Sequence, residues 1–343
     1  MPTDISCTGF SLRRRMQTAT RLLSLFMLAA SAGLAAEPPA VTRDDAAPMY
    51  LEAFVNLPEY FEPRAREEDS LPLVGDGRLP ALGKPMAEDQ RQAIAKYLEV
   101  NAKCLALLHE AGALKECRWP DKYKETSQRF QAIMSGARQG ARLLELEAIV
   151  QAETGKSELA ARAVQDSFVM AKRLEDIDPP LGIMVRDACE QLTAGALERV
   201  LNRVQISEAD LSALAQSVAA ADLSVALPAS EFDNDPHLKG RGIGLWHTWL
   251  RNAQAAIAVE RFRAAEGKLP VGLDALVPRF LSAVPIDPFD GQPLRYRQTE
   301  VRYVVYSVGP SKTDQGGRWD NPTGWVGETG NLPFRVEREA THK

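Results

Sequence analysis

Hydrophobic residues recur at helical spacing through most of the chain beyond residue 47. This spacing gathers apolar side chains on one face of an α-helix. It predicts helices over residues 47–57, 87–110, 126–153, 157–174, 181–204 and 242–265. A further helix should follow Ser207, because Ser207 and Asp210 have the spacing of a capping box. The pattern as a whole predicts antiparallel helical hairpins.

Breaks between these helices come from residues that end helices. Gly155 separates two of them, and a Pro-Pro pair separates the next two. Residues 62–90 mix prolines, glycines and charges and favour no regular element. The short runs 294–297 and 303–308 are typical of strands. The chain is therefore predicted to be mainly α, with a small α+β domain at its C-terminal end.

Composition also suggests how the chain divides into domains. The stretch 228–241 is acidic and contains Pro228 and Pro236, which is typical of a linker. The predicted segments are a signal peptide at 1–36, an irregular lead-in with one short helix at 37–90, a helical domain at 91–227, the linker at 228–241, an α+β domain at 242–335 and a tail at 336–343.

The N-terminus has the three parts of a secretory signal peptide. Four arginines between residues 13 and 21 precede an apolar stretch over 22–34. Small residues follow, and cleavage is expected after Ala35 or Ala36. The apolar stretch falls short of the ~20 residues that span a bilayer. We expect an exported protein, periplasmic or secreted, and the alternative interpretation is an uncleaved N-terminal anchor.

Net charge bears on the class of partner. The formal net charge is −5 at pH 7, and no basic run follows the predicted signal. Nucleic acids and anionic lipids require clustered Lys and Arg, so this composition argues against both. No later stretch is apolar and long enough to cross a membrane. The class of partner that we expect is an envelope protein, in keeping with the predicted export.

Three cysteines, Cys104, Cys117 and Cys189, lie beyond the predicted signal. The turn at 111–113 allows Cys117 to fold back beside Cys104, and a disulfide there would suit an oxidising compartment. Two buried thiols are the alternative, since a thiol packs as a small hydrophobic group. Cys189 is expected in the core.

Motifs of common catalytic sites are incomplete in this chain. Residues 155–157 end like a phosphate-binding loop, but Val150 stands where its first glycine is required. His109 lacks the second histidine of a zinc-binding helix, because Ala113 occupies that position. The sequence therefore predicts no catalytic residue and no cofactor-binding residue.

One predicted hairpin has the order of a known repeat. Residues 143–174 form a helix, a glycine turn and an Ala-rich helix, which loosely resembles a tetratricopeptide hairpin. The resemblance favours stacked antiparallel helices rather than peptide binding.

Four short motifs follow one another behind the last long helix. They are G-K-L-P at 267–270, L-D-A-L-V-P at 273–278, D-P-F-D-G at 287–291 and Y-V-V-Y-S-V-G at 303–309. In this order they resemble the globular domain of the major pseudopilins of type II secretion and related pilin-like domains. The resemblance covers about residues 249–320 and implies a pilin-like α+β domain.

The same resemblance implies a candidate metal site. Some pseudopilins hold calcium in their last loop through carboxylate and carbonyl oxygens. Asp314 and Asp320 lie in the matching loop and are the calcium candidates, and a solvated loop without an ion is the alternative. Pseudopilins join this domain directly to an assembly helix. Here a helical body precedes it, so we expect a structural or interaction module.

Three hypotheses of function follow. The first is an exported, noncatalytic scaffold or protein-interaction protein of the cell envelope. The second is a component of a type II secretion or pilus-like apparatus. The third is a hydrolase-type enzyme with a carboxylate site between the two predicted domains.

Overall fold

The structure, a computed structural model, describes residues 44–57, 71–119, 128–174, 177, 181–222, 242–318 and 330–337. These residues contain the α-helices α1 (Ala47–Asn56), α2 (Glu88–Val100), α3 (Ala102–Ala113), α4 (Gln128–Glu153), α5 (Ser157–Arg173), α6 (Leu181–Arg203), α7 (Glu208–Asp222) and α8 (Gly242–Glu266). A 3-10 helix at Leu273–Leu276 and the strands β1 (Arg295–Gln298), β2 (Tyr303–Ser307) and β3 (Leu332–Val336) follow. The predicted class, mainly helical with a small β part, is confirmed at that level.

The single helix predicted over 87–110 is wrong, because the chain forms two helices there. Asn101 separates α2 from α3, with φ −99° and ψ 15°. Its side-chain amide donates to the carbonyl oxygen of Tyr97 at 2.8 Å. Asparagine competes in this way for backbone groups that would otherwise continue the helix. The apolar period runs across the break and therefore hides it.

The helical body is built around α4, α5 and α6, which pack against one another. Helix α1 packs on α4, and α3 packs on α5. Helix α7 also packs on α5, and α8 packs on α6. Helix α1 can approach α4 closely because Gly136 has no side chain. A Cβ atom there would lie 2.4 Å from the Cβ atom of Phe54. Replacing this glycine would push the two helices apart.

The small sheet is antiparallel, with strand order β1-β2-β3. Central strand β2 places Tyr303 opposite Gln298 of β1 and Val336 of β3. Helix α8 packs beneath β2 and β3, and the Tyr303 hydroxyl donates to the carbonyl oxygen of Ala256 on that helix at 3.3 Å. Strand β3 was not predicted, and it extends one residue into the predicted tail. Pro333 inside its sequence argues against a strand, and only its position at the sheet edge accommodates proline.

Side chains of α6 close the outer edge of β3. The Glu198 Oε1 atom accepts a hydrogen bond from the Arg335 backbone N–H at 2.6 Å. Asn202 donates to the Arg335 carbonyl oxygen at 2.7 Å and accepts from the Glu337 N–H at 2.6 Å. An uncovered strand edge invites pairing with other chains, so these bonds protect the edge and attach the sheet to the helical body.

One hydrophobic cluster runs from α4 and α5 through α8 to β2 and β3, and a second one underlies α1 and α3. The predicted signal at 1–36, the linker at 228–241 and positions 338–343 of the tail lie outside the described residues, so the division into domains stays a prediction. Among the helices of the described part, none combines the length and hydropathy needed to cross a membrane.

Candidate functional site

An open groove lies where the end of α3 meets α5 and α7. It has a volume of about 460 Å³. Its apolar lining residues are Phe168 and Val169 of α5 and Ala220 of α7. Gln216 and Ser217 of α7 supply polar groups along one side. The size falls within the range of ordinary ligand sites.

Three cations line this groove, and we call it the basic groove. They are Lys115, just after α3, and Lys172 and Arg173 in the last turn of α5. Within the part of the chain that the structure describes, no carboxylate pairs with Lys115 or Lys172. Among the described residues that line the groove, none has an acidic side chain. The groove therefore offers positive charge to a ligand.

Arg173 is held in place from two directions. Its Nη2 group donates to the carbonyl oxygen of Leu114 at 2.6 Å. Its own carbonyl oxygen accepts from the indole N–H of Trp119 at 2.7 Å. These bonds tie the end of α5 to the segment after α3, so both walls of the basic groove are fixed relative to each other.

An aromatic stack supports the segment after α3. Trp119 stacks on Tyr50 and Phe54 of α1, with ring centroids 6.2 and 6.5 Å apart. The Tyr50 hydroxyl is buried and has no hydrogen-bond partner among the described residues. Burial raises the pKa of Tyr50, against the opposing charge of Arg173. Tyr50 therefore remains neutral and keeps its O–H donor.

A second polar cluster joins α3, α4 and α5, and we call it the His109 clamp. His109 Nδ1 lies 2.6 Å from Asp166 Oδ2 on α5, and His109 Nε2 lies 2.8 Å from Glu147 Oε2 on α4. Gly112 makes room for it, because a Cβ atom there would lie 2.6 Å from Asp166 Oδ1. Both ring nitrogens are engaged, so neither faces a ligand.

The two carboxylates decide the charge of the His109 clamp. Burial disfavours the imidazolium, but hydrogen bonds to Asp166 and then to Glu147 outweigh it and raise the pKa of His109 to about 9. His109 is therefore protonated at neutral pH. A cation between two anions stabilises the packing of three helices, which is a structural role rather than that of a general base.

Buried carboxylic acids form a third group, at the packed faces of α4 and α6. Burial raises the pKa of Glu145 to about 8, although Arg199 and Arg142 oppose it. Burial and the neighbouring Glu190 raise the pKa of Asp187 to about 8. One oxygen of each carboxyl group has no hydrogen-bond partner among the described residues. Such perturbed acids are candidates for catalysis when a cavity gives a substrate access.

The space along α4 and α6 is small, and neither acid is among the described residues that line it. A cleft between the loop at Pro80 and helices α4 and α6 leaves about 10 Å³, close to the minimum for one water molecule. Glu153 in this cleft accepts from Arg203 at 3.0 Å and from the Met86 N–H at 3.2 Å. Its carboxylate is thus engaged within the protein, and the cleft does not bring Glu145 and Asp187 to a substrate.

The motifs of the pilin resemblance lie at the turns of the C-terminal part. Gly267, Gly291 and Gly309 have φ values of 70°, 73° and 67°, a region that favours glycine. Asp287 is completely buried and accepts from the Phe289 and Val308 N–H groups at 3.1 and 2.8 Å. These residues act locally by fixing turns, whatever the ancestry of the segment.

Asp314, one calcium candidate, is already engaged by the protein. Its Oδ1 atom accepts from the Tyr306 hydroxyl at 3.0 Å and from the Gly316 N–H at 2.8 Å. The bond from Gly316 leads the effects that hold its pKa below the usual value. Asp320 lies outside the described residues, and no group of three potential metal ligands occurs within the described ones. Calcium binding stays a prediction.

The cysteines are thiols in the structure. Cys104 and Cys189 are buried, and burial raises the pKa of both, that of Cys189 to about 12. Cys117 is half-buried and lines the basic groove. Pairing of Cys104 with Cys117 stays a prediction, while the core position expected of Cys189 is confirmed.

Comparisons with family models, with curated proteins and with solved structures found no match for this chain.

Sequence reasoning missed the residues of the basic groove and of the His109 clamp. Lys172 and Arg173 look in the sequence like ordinary cations at a helix C-terminus, and Lys115 like a loop cation. His109 was considered only as part of a zinc motif. The useful signal was Gly112, a glycine inside a helix that marks a close approach by another side chain.

Proposed function

We propose that this protein is an exported, noncatalytic scaffold of the cell envelope that binds another envelope protein. The observation that supports the proposal is the basic groove, an open surface lined by apolar side chains and by two lysines that pair with no described carboxylate. Binding sites combine apolar area with a few placed polar groups in this manner.

Rigid support of the groove favours a binding role. The Trp119 and Arg173 bonds fix its walls, and the His109 clamp joins the three helices behind it. A preformed surface loses less conformational entropy when a partner binds. The bonds from α6 to β3 couple the C-terminal sheet to the same body, which suits a scaffold that presents two surfaces in fixed relation.

Two kinds of evidence test this function together. The protein is isolated from the envelope and cytoplasmic fractions of its native host, and its N-terminus is read by mass spectrometry. We expect a periplasmic or secreted chain that starts at Ala36 or Glu37 and co-purifies with a defined partner. The partner should be lost from Lys115→Glu/Lys172→Glu. An intact N-terminus in the cytoplasm, without a partner, would overturn the proposal.

A role in a type II secretion or pilus-like apparatus is a second candidate. The placement of the four C-terminal motifs around α8 and the sheet favours it, with two at glycine turns, one in the 3-10 helix and one in β2. Such a component should co-sediment with assembled filaments or with the secretion complex. A mature chain found only in the soluble periplasmic fraction would argue against this candidate and leave the first one standing.

A hydrolase-type enzyme requires two accessible acids in one cleft. The raised pKa values of Glu145 and Asp187 fit an acid role, but neither is among the described residues that line the cleft along α4 and α6, which has room for about one water. The scaffold hypothesis therefore has the better support. Turnover of an ester or glycoside that is abolished by Glu145→Gln would reverse this order.

A further inference from the structure

We infer that the basic groove recognises an acidic segment of the partner protein, a stretch whose Asp or Glu carboxylates meet Lys115, Lys172 and Arg173. This inference rests on the proposed binding function and names the chemistry of its partner. Its basis is charge complementarity at a surface with three cations and no acid among the described residues that line it.

The cations suit carboxylates in different ways. Arg173 presents a planar guanidinium held by the Leu114 carbonyl, and such a group can bind a carboxylate with directed N–H donors. Lys115 is exposed and Lys172 is half-buried, and both bring mobile point charges to the groove. One fixed and two adjustable cations can follow successive carboxylates along an extended segment.

The apolar side chains that line the groove explain why a peptide segment is favoured over a simple inorganic anion. Phe168, Val169 and Ala220 line the groove together with the cations of α5 and the polar side chains of α7. The methylene groups of Glu and the backbone of a peptide can cover such side chains, whereas phosphate cannot. The volume of about 460 Å³ accommodates a few residues of extended chain.

Because the protein as a whole is negatively charged, it can attract an acidic peptide only locally, at a cluster of cations such as the basic groove. The formal net charge is −5, so an acidic peptide is repelled on average by the rest of the surface. Binding of such a peptide must then arise from the cations gathered in the basic groove rather than from the average charge of the surface. This condition allows a simple experiment to separate the basic groove from diffuse electrostatic attraction.

The test measures binding of a capped, fluorescently labelled oligoglutamate peptide to the purified protein by fluorescence anisotropy. Oligoglutamine of equal length is the neutral probe. We expect saturable binding of oligoglutamate only, weakening as salt is added because exposed charges are screened. Lys115→Glu/Lys172→Glu should lower the affinity by about tenfold or more, since two attractive contacts become repulsive.

A matched control is Lys156→Glu/Lys268→Glu, which changes net charge equally at two exposed lysines away from the groove. It should bind the peptide as the unmodified protein does. Circular dichroism and the milder Lys115→Ala/Lys172→Ala variant show whether any loss comes from unfolding.

Three results would overturn the inference: no binding of oligoglutamate, equal weakening in both charge-reversal variants, or displacement of the peptide by equimolar inorganic phosphate. If a partner still co-purifies in a groove-dependent way after one of these results, the proposed function survives and only the acidic chemistry is wrong.

Discussion

Two buried carboxyl groups, one in the helical body and one beside the small sheet, differ in how completely the protein hydrogen-bonds them. Asp287, beside the small sheet, is 0% exposed and accepts four hydrogen bonds, from Phe289, Val308, Ser307 and Arg295. Glu145, in helix α4, is 5% exposed, and its Oε2 atom has no partner among the described residues. Burial is nearly the same, but hydrogen bonding is not.

The difference follows from the backbone around each group. Turns and strand ends leave N–H groups without a partner, and Asp287 collects two of them. Interior N–H groups of a helix already bond to carbonyls four residues earlier, so Glu145 can be satisfied only by side chains. Complete hydrogen bonding offsets the cost of burying a charge, and without it a buried acid keeps its proton instead.

The largest effect is expected for Asp287→Ala. This change leaves the Ser307 hydroxyl and two backbone N–H groups without their acceptor and breaks one of the two ion pairs of Arg295. Breaking one side of a buried ion pair costs about 3–5 kcal/mol. Urea unfolding of the variant should show a loss of that order in the free energy of unfolding.

The control for this prediction is Asp290→Ala. Asp290 pairs with the same Arg295 but its side chain is 19% exposed, so its loss should cost about 1 kcal/mol or less. If both variants lost the same free energy of unfolding, the burial of Asp287 and its four hydrogen bonds would add no stability beyond that of an ordinary ion pair.

Asn202→Ala should have the next largest effect. It removes two bonds to the edge of β3 and should lower the free energy of unfolding by about 2 kcal/mol. Hydrogen exchange at the Glu337 amide should accelerate more than exchange within α5. Asn56→Ala, at an exposed helix end, is the control and should change neither quantity appreciably. Unchanged exchange in Asn202→Ala would show that α6 does not protect this edge.

Glu145→Gln tests the other side of the comparison, and it should stabilise the protein at alkaline pH. The pKa of Glu145 is raised from 4.5 to about 8 in the folded state. Between these values the unfolded chain has released a proton that the folded protein keeps, so stability falls as pH rises. Removing this group should yield roughly 1–3 kcal/mol at pH 8 and almost nothing at pH 4.

The exposed Glu300→Gln serves as the matched control for Glu145→Gln, and its unfolding free energy should follow the unmodified protein at every pH. If Glu145→Gln destabilises at pH 8, its carboxylate is charged and paired in the folded state, and the contrast with Asp287 fails.

The smallest effect concerns His109, whose hydrogen bonds lie between these two extremes. Its folded-state pKa is raised from 6.5 to about 9, so its contribution is complete below pH 6.5 and is lost as pH rises through 9. His109→Gln should remove this loss of stability at high pH, and it should lower the free energy of unfolding by about 1 kcal/mol at pH 6. His247→Gln leaves the His109 clamp intact and should keep the decline, as measured by thermal unfolding across pH 6–10. A decline that persists in His109→Gln would contradict the assignment.

The sequence was sufficient where one local property decided the structure. The helical spacing of apolar residues predicted most of the helices, and glycines predicted turns such as that at Gly155, where φ is 76°. The helix break at Asn101 and strand β3 could not be predicted in this way. A buried side-chain hydrogen bond causes the break, and a position at the sheet edge allows the strand to contain proline. Neither is visible in hydrophobic spacing.

The candidate site was much harder to predict because packing assembles it. His109 is 57 residues from Asp166 and 38 from Glu147, and the basic groove joins side chains of three separate elements. No spacing rule connects such positions. Cations at helix ends are common, and these become a candidate site only because no acid occurs among the described residues that line the groove.

In-cell photocrosslinking from the rim of the basic groove tests the central claim most directly. A photoreactive residue replaces exposed Gln216, and in a second strain it replaces Val271, which is 90% exposed on the turn after α8. We predict one discrete adduct in the envelope from position 216, absent at position 271 and lost on Lys115→Glu/Lys172→Glu. Identical adduct patterns from both positions, or none from position 216, would contradict a partner-binding groove.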